Sequence, residues 1–361
     1  MGNTSTNYEK VFGVLKSKLV MIMCTLVIAG ACLNPLWAEA KGAPLSAWED
    51  SARAKTELTS YMAQITDKSS ASYIPVEDRI AVFDLDGTLC CETDPVYFDH
   101  QLLVYRVFGD PTYKDKASAF EKAVALKVVQ FAETGVYPEE LSNEHGQAIA
   151  SAFAGMTVDE FVQYVANFMN TPMNGYSGMN KNEAFYKPMA QIVNYLQQND
   201  FKVYIVSGTD RLILRGLVPQ EFNLPPSQII GSDETIVSSS QNDADGLDFQ
   251  FKDGDSLVLG GDFVVKNLKM NKVSVIAQEI GQQPVLSFGN SSGDYSMAEY
   301  VTTGNKYKSL AFMLCCDDTV RENGKVSSAE KMLNKCNEEG WIPVSMKNDW
   351  KTIYGDGVTR N

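Results

Sequence analysis

A chain of 361 residues is long enough for two domains, or for one domain carrying a large insertion. Its 44% hydrophobic and 21% charged residues are those of a folding globular protein and exclude a disordered or collagen-like chain. With 31 Lys and Arg against 45 Asp and Glu, the formal net charge of -14 argues against nucleic acid as a partner, because phosphate backbones are held by broad basic surfaces.

The chain opens on an address. Leu19 to Cys32 is its one long apolar run, preceded by Lys10, Lys16 and Lys18 and followed by Pro35 and Ala38-Glu39-Ala40. The run is shorter than the roughly 20 residues a spanning helix needs, and small residues flank a cleavage point. Residues 1–40 therefore read as a secretory signal peptide cut after Ala38 or Ala40. Lipid attachment at Cys32 and retention as an uncleaved anchor are the alternatives. All three export the rest of the chain, to the periplasm or outside the cell, and the cleaved chain keeps no stable membrane span. Cys90, Cys91, Cys315, Cys316 and Cys336 remain, without the spacing of a metal site. A bridge between the Cys90/Cys91 and Cys315/Cys316 pairs stays open.

From Ser46 to about Asp67 apolar residues recur at helical spacing, with Ser46 as the cap. Arg79 to Thr88 (RIAVFDLDGT) is a short β-branched run that stops at acids and Gly, the pattern of a buried parallel strand with carboxylates at its end. Similar runs recur at Phe201 to Gly208, Pro284 to Asn290 and Ser309 to Cys316. Alternation with helices predicts an α/β fold: a doubly wound parallel sheet, Rossmann-like, whose ligands bind beyond the carboxyl ends of the strands.

The first two strands are separated by far more chain than one crossover needs. Helical spacing at 98–107, 113–134, 140–154 and 157–169 predicts an inserted helical cap over 92–181, with 41–91 and 182–361 forming the core. Ser238 to Gly261 reads as a hairpin excursion. The two histidines, His100 and His145, fall in the cap and read as structural or exposed, and Tyr97, Phe98 and Tyr105 read as cap core.

The chemistry concentrates at four places. Asp84 and Asp86 flank a strand end where the chain turns at Gly87. Ser207-Gly208-Thr209 follows the second strand, Lys272 opens a helix with Lys269 as its nearest rival, and Gly289-Asn290-Ser291-Ser292-Gly293-Asp294 follows a third strand. This set, spread over residues 80–300, resembles the haloacid dehalogenase superfamily of phosphohydrolases. The place of the helical insertion is similar to the phosphoserine phosphatase branch, and Gly340 to Trp350 (GWIPVSMKNDW) resembles exported bacterial members of that branch.

The resemblance implies a small-molecule phosphate ester as substrate, hydrolysed through an aspartyl-phosphate. It makes Asp84 the nucleophile and Asp86 the acid that protonates the leaving oxygen and then activates water. Thr88, Ser207, Gly208 and Thr209 would bind phosphoryl oxygens, with the 208 and 209 amides at a helix N-terminus. Lys272 would neutralise transition-state charge. Mg2+ would be held by Asp84, the Asp86 carbonyl, Asn290 and Asp294. Asn290 departs from the usual Asp and brings one negative charge fewer. Glu92 and Asp94, eight and ten positions after the nucleophile, are candidates to select a cationic head group such as an amino alcohol or amino acid. A phosphotransferase or a non-catalytic ligand-binding protein on the same fold are the alternative functions.

Overall fold

The computed structural model describes residues 45–218 and 222–361, so the segment read as a signal peptide lies outside the described residues. The core is a seven-stranded sheet in the order β5-β4-β3-β1-β6-β7-β8. Its strands are β1 (Ile80–Phe83), β3 (Lys202–Asp210), β4 (Ile229–Ser238), β5 (Leu257–Val265), β6 (Leu286–Gly289), β7 (Leu310–Cys315) and β8 (Ile342–Ser345). All neighbours pair in parallel except β5, which runs antiparallel to β4. Every residue of β1 is buried, as a strand covered on both faces requires. Phe83, Phe288 and Phe312, from three adjacent strands, stack at 4.2 and 4.9 Å across the sheet. The order reverses at β1: later strands build out to one side through β3, and β6 then pairs on the other. That switch point is where an open α/β sheet forms its crevice.

Between β1 and β3 lie α2 (Phe98–Val104, running into a π turn over Tyr105–Gly109), α3 (Ala119–Thr134), α4 (Leu141–Ala152), α5 (Val158–Met169) and the short strand β2 (Tyr176–Ser177). Helix α3 starts later than its apolar spacing predicts, because Ser118 and Glu121 form a reciprocal capping box that fixes the first turn. Thr157 and Glu160 do the same for α5. Helix α4 packs on β5, and α5 packs on α7 (Arg211–Leu217). The excursion between β4 and β5 is the expected hairpin.

Two expectations are corrected. The first helix, α1, spans Arg53–Thr66 with Ala52 at its cap and no capping side chain, so Ser46 is not the cap. The preceding turn is held instead by Trp48, buried edge-on against Trp350 and donating its indole N–H to the Pro188 carbonyl. The helix returning to the sheet, α6 (Lys187–Gln198), begins after a short 3-10 turn rather than at residue 182. Downstream lie α8 (Met270–Val275), α9 (Tyr295–Thr302), α10 (Val326–Glu339), α11 (Met346–Asp349) and β9 (Thr359–Arg360), which pairs with β2. Among the described residues no helix is long and apolar enough to cross a membrane, and the five cysteines are free thiols.

Candidate active site

The loop after β1 turns back on itself within five residues. The Gly87 amide donates to the Cys90 carbonyl, and the Thr88 and Leu89 amides donate to the Leu85 carbonyl. Gly87 sits at φ +76°, and a Cβ there would lie 2.1 Å from the Asn290 amide nitrogen, so both conformation and space demand glycine. This turn points Asp84 and Asp86 at the loop after β6.

Lys272 is the centre of the arrangement. It is 0% exposed, with Nζ 2.6 Å from Asp84 Oδ1 and 2.7 Å from Asp294 Oδ1. Burial works against its charge, but the two carboxylates outweigh it and hold the ammonium above its ordinary range. Lys269, its rival, is exposed. Burial and then Asp294 push the Asp84 carboxyl up to about 7, against the pull of Lys272. Burial, with Asp99 and Asp84 behind it, pushes Asp86 well above the carboxylate range, which suits a group that must give up a proton. The Thr209 hydroxyl donates to Asp86 Oδ2 at 2.7 Å and fixes its orientation.

Asp294 also orders the loop it closes. Its Oδ2 accepts from the amides of Asn290 and Ser291 at 3.0 Å and from the Ser291 hydroxyl at 3.2 Å. With Oδ1 on Lys272, both oxygens are engaged, so Asp294, expected among the Mg2+ ligands, instead holds Lys272 and the Asn290 loop in place. The Asn290 carboxamide faces Asp84 Oδ2 at 3.3 Å and the Asp86 carbonyl at 3.1 Å, and hydrogen-bonds Glu92. With its nitrogen inward it donates to both oxygens. With its oxygen inward, three oxygens converge at the spacing they take around one hard cation, and its NH2 turns to Glu92. Thr88 donates to Asn290 at 3.3 Å. The donor set therefore fits Mg2+.

The sheet brings together Asp84, Asp86, Thr88, Thr209, Lys272, Asn290 and Asp294, with Glu92 at their edge. Ser207, Gly208 and Thr209 differ from expectation. They lie within β3, and the following helix begins at Arg211 under its own cap, Asp210, which accepts from the Leu212 and Ile213 amides. No helix N-terminus therefore presents the 208 and 209 amides. The Thr209 amide is instead held by the Ser207 hydroxyl at 3.2 Å, and the Asn267 side chain donates to the Ser207 carbonyl at 3.0 Å. Asn267 had no sequence signal, lying in a loop between strand and helix.

Glu92 and Asp94 part company. Glu92 accepts from the Tyr97 hydroxyl at 3.3 Å and, when the Asn290 oxygen faces inward, from the Asn290 NH2, and burial raises its carboxyl. Asp94 is held differently: its two oxygens accept the backbone amides of Asn174 and Gly175, each at 2.5 Å. A small cavity beside this segment is lined by Glu92, Asp94, Phe98, Met173, Phe185 and Lys181, among others, the Lys181 ammonium donating to the Pro172 carbonyl at 2.7 Å. Phe98 is thus a wall residue as well as a packing partner of Phe168, and Tyr97 orients Glu92. Both roles depart from the expectation of cap core alone, while Tyr105 stacks on Phe168 as expected.

Fold and site together define an α/β protein with paired acids, a buried lysine and an oxygen-rich loop at the switch point of its sheet. The chain belongs to the haloacid dehalogenase-like hydrolase family, whose model matches residues 81–299. Solved structures similar to it include a functionally unknown protein from Anaerococcus prevotii DSM 20548 (14% identity, 80% of this chain and 91% of that one, TM-score 0.49). A cytosolic 5'-nucleotidase IIIB bound to cytidine matches at 12% identity over 84% of this chain and 90% of that one, with a TM-score of 0.46. A substrate-bound phosphoserine phosphatase matches at 14% over 73% and 98%, with a TM-score of 0.35. Among curated proteins, no sequence matches the chain.

Proposed function

We propose that this protein is a Mg2+-dependent phosphomonoester hydrolase that works through an aspartyl-phosphate on Asp84. The observation that carries the reading is the buried Asp84–Lys272–Asp294 chain beside an Asp86 held by Thr209. Asp84 attacks phosphorus in line with the ester oxygen and the P–O bond breaks. Asp86, kept protonated by its surroundings, gives its proton to the departing oxygen. The carboxylate so formed takes a proton from water, whose oxygen attacks phosphorus of the acyl phosphate and releases phosphate and free Asp84. Lys272 balances the negative charge spread over the phosphoryl oxygens. Asp84, the Asp86 carbonyl and Asn290 would hold the Mg2+, which when bound offsets the charge of phosphate and carboxylate together.

Glu92 is the candidate to meet a substrate's head group. It shares a cavity wall with Phe98 and Asp94, and the one ammonium there, that of Lys181, is held by the Pro172 carbonyl, which supports a small cationic head group, as in an amino alcohol or amino acid phosphate. The helical residues between β1 and β3 act as a cap over this site, and the N-terminal segment directs the protein out of the cytoplasm. Phosphate release from phosphoethanolamine, phosphoserine, phosphocholine and glycerol phosphate, with and without Mg2+, tests the reading. Turnover that survives complete chelation, or no release from any monoester, overturns it.

A further inference from the structure

The end of β3 departs from a regular strand beside the catalytic carboxylates. Its ladder with β4 pairs Val206 with Ile230 and then Asp210 with Ser232. Ser207, Gly208 and Thr209 therefore stand opposite Gly231 alone, in a bulge from which the Thr209 hydroxyl reaches Asp86 Oδ2 at 2.7 Å. The close approach requires glycine at 231, since a Cβ there would lie 2.5 Å from the Thr209 carbonyl oxygen and 2.6 Å from the Arg211 amide nitrogen.

A bulge disrupts the ladder, and here two side chains take up its carbonyls. Asn267 Nδ2 donates to the Ser207 carbonyl at 3.0 Å, and the Ser232 hydroxyl donates to the Gly208 carbonyl at 2.7 Å. The Asn267 backbone amide donates to Ser232 Oγ at 3.0 Å, which ties the two residues together. Both are buried, at 2% and 3% exposure. Asn267 Oδ1 is also buried and has no partner. An unpaired buried acceptor costs about 1–3 kcal/mol, and such exceptions gather where function, not stability, selects the residue.

We propose that Asn267 and Ser232 are positioning residues for the proton donor of the reaction. They hold the bulge, the bulge holds Thr209, and Thr209 aims Asp86 at the departing oxygen. The inference rests on the phosphatase reading above, in which Asp86 protonates that oxygen. Proton transfer needs the donor within hydrogen-bond reach, and a misplacement of about 1 Å costs about 100-fold in rate. The consequence is selective. An alkoxide leaves poorly without a proton, whereas p-nitrophenolate leaves as the anion, so a misaimed Asp86 slows alkyl esters more than the aryl ester. The ratio kcat/KM isolates this step, because it ends with the transfer of phosphoryl to Asp84 and the loss of the alcohol, before water is activated.

Asn267→Leu nearly keeps the side-chain volume and removes the donor. Its kcat/KM and that of wild type are measured in saturating Mg2+ on glycerol phosphate, phosphoethanolamine and p-nitrophenyl phosphate, with folding checked by circular dichroism. The alkyl-to-aryl ratio of kcat/KM should fall about tenfold. Thr209→Val should lower that ratio as much, and the double variant should lower it no further, because the two residues act in series. Ser232→Ala deletes a single hydroxyl, carries the same expectation, and decides the matter if Asn267→Leu does not fold. An unchanged ratio in a folded variant, including equal losses on alkyl and aryl esters, overturns the inference and leaves the phosphatase reading standing. So do additive effects in the double variant, and so does failure of both single variants to fold, which would make the pair ties of the fold alone. A wild type that hydrolyses none of these esters overturns the phosphatase reading itself and takes the inference with it.

Discussion

Lys272 Nζ reaches Asp84 Oδ1 at 2.6 Å from a position with no solvent exposure, so the charge of Asp84 is balanced by a buried ammonium that Asp84 shares with Asp294. Replacing it with methionine keeps the length of the side chain and leaves Asp84 and Asp294 facing each other, buried and unpaired. Breaking such a pair costs about 3–5 kcal/mol. Urea unfolding of Lys272→Met without divalent cation should show a loss of that order, and the variant should also lack phosphatase activity. A stability equal to wild type would mean that the lysine is solvated in solution.

Asp84→Asn should abolish turnover and keep the fold, because an amide cannot attack phosphorus and a neutral group beside Asp294 and Lys272 is tolerated. Asp86→Asn should be nearly as damaging, since the amide neither donates the proton nor activates water. Phosphate release measured alongside circular dichroism separates loss of chemistry from loss of fold. Appreciable activity in folded Asp84→Asn would falsify the mechanism.

Much of this arrangement is legible in the residues themselves. An apolar β-branched run that stops on Asp-x-Asp-Gly has one easy reading, a buried strand with acids at its carboxyl end, and β1 is that strand. Choices between near neighbours were harder. Lys269 and Lys272 lie one helical turn apart, and only the packing of α8 buries the second. Glu92 and Asp94 are two residues apart, yet the amides of Asn174 and Gly175, some eighty positions away, claim Asp94. Strand β8 was hidden by Pro343, which is allowed because the strand lies at the edge of the sheet. The Ser207 to Thr209 segment looked like a helix entry because a strand that continues to Asp210 leaves no mark in its composition.

Asn290→Asp should tighten Mg2+ binding, since it restores a carboxylate where the family usually carries one. In the metal-free protein the same change places a new charge beside Asp84 and Glu92 and should lower the melting temperature. Calorimetric titration of Mg2+ and the Mg2+ concentration giving half activity should both fall. Unchanged values in both would remove Asn290 from the ligand set.

Glu234, on β4, is 8% exposed and neither of its oxygens has a partner. Burial, followed by Asp210 and Asp233, pushes its carboxyl up to about 9. Its folded pKa thus exceeds the unfolded one, so the unfolded state gives up a proton first as pH rises. The stability that Glu234 contributes is present below the unfolded value, near 4.5, and drains away as pH climbs toward 9. Glu234→Gln should therefore stabilise the protein at pH 8 by about 1–3 kcal/mol and change little at pH 4.5. Chemical denaturation at the two pH values checks this, and an equal effect at both would show that the carboxyl is ionised in the native state.

Glu92 and Asp94 give the most direct test of substrate choice, because the structure assigns them opposite surroundings. Glu92 is oriented by Tyr97 and Asn290 at the edge of the carboxylate cluster, whereas Asp94 is saturated by two backbone amides. If Glu92 meets a cationic head group, Glu92→Gln should lower kcat/KM for phosphoethanolamine by about tenfold, equivalent to about 1.4 kcal/mol, and leave glycerol phosphate nearly unchanged. Asp94→Asn should act differently. Its amide can present only one acceptor oxygen to two N–H groups, so the segment around Asn174 and Gly175 loosens, and both esters should suffer alike with a lower melting temperature. Comparing the two variants on the two esters separates recognition from scaffolding. Equal losses on both esters in Glu92→Gln would show that this carboxylate serves the metal loop through Asn290 and does not read the head group.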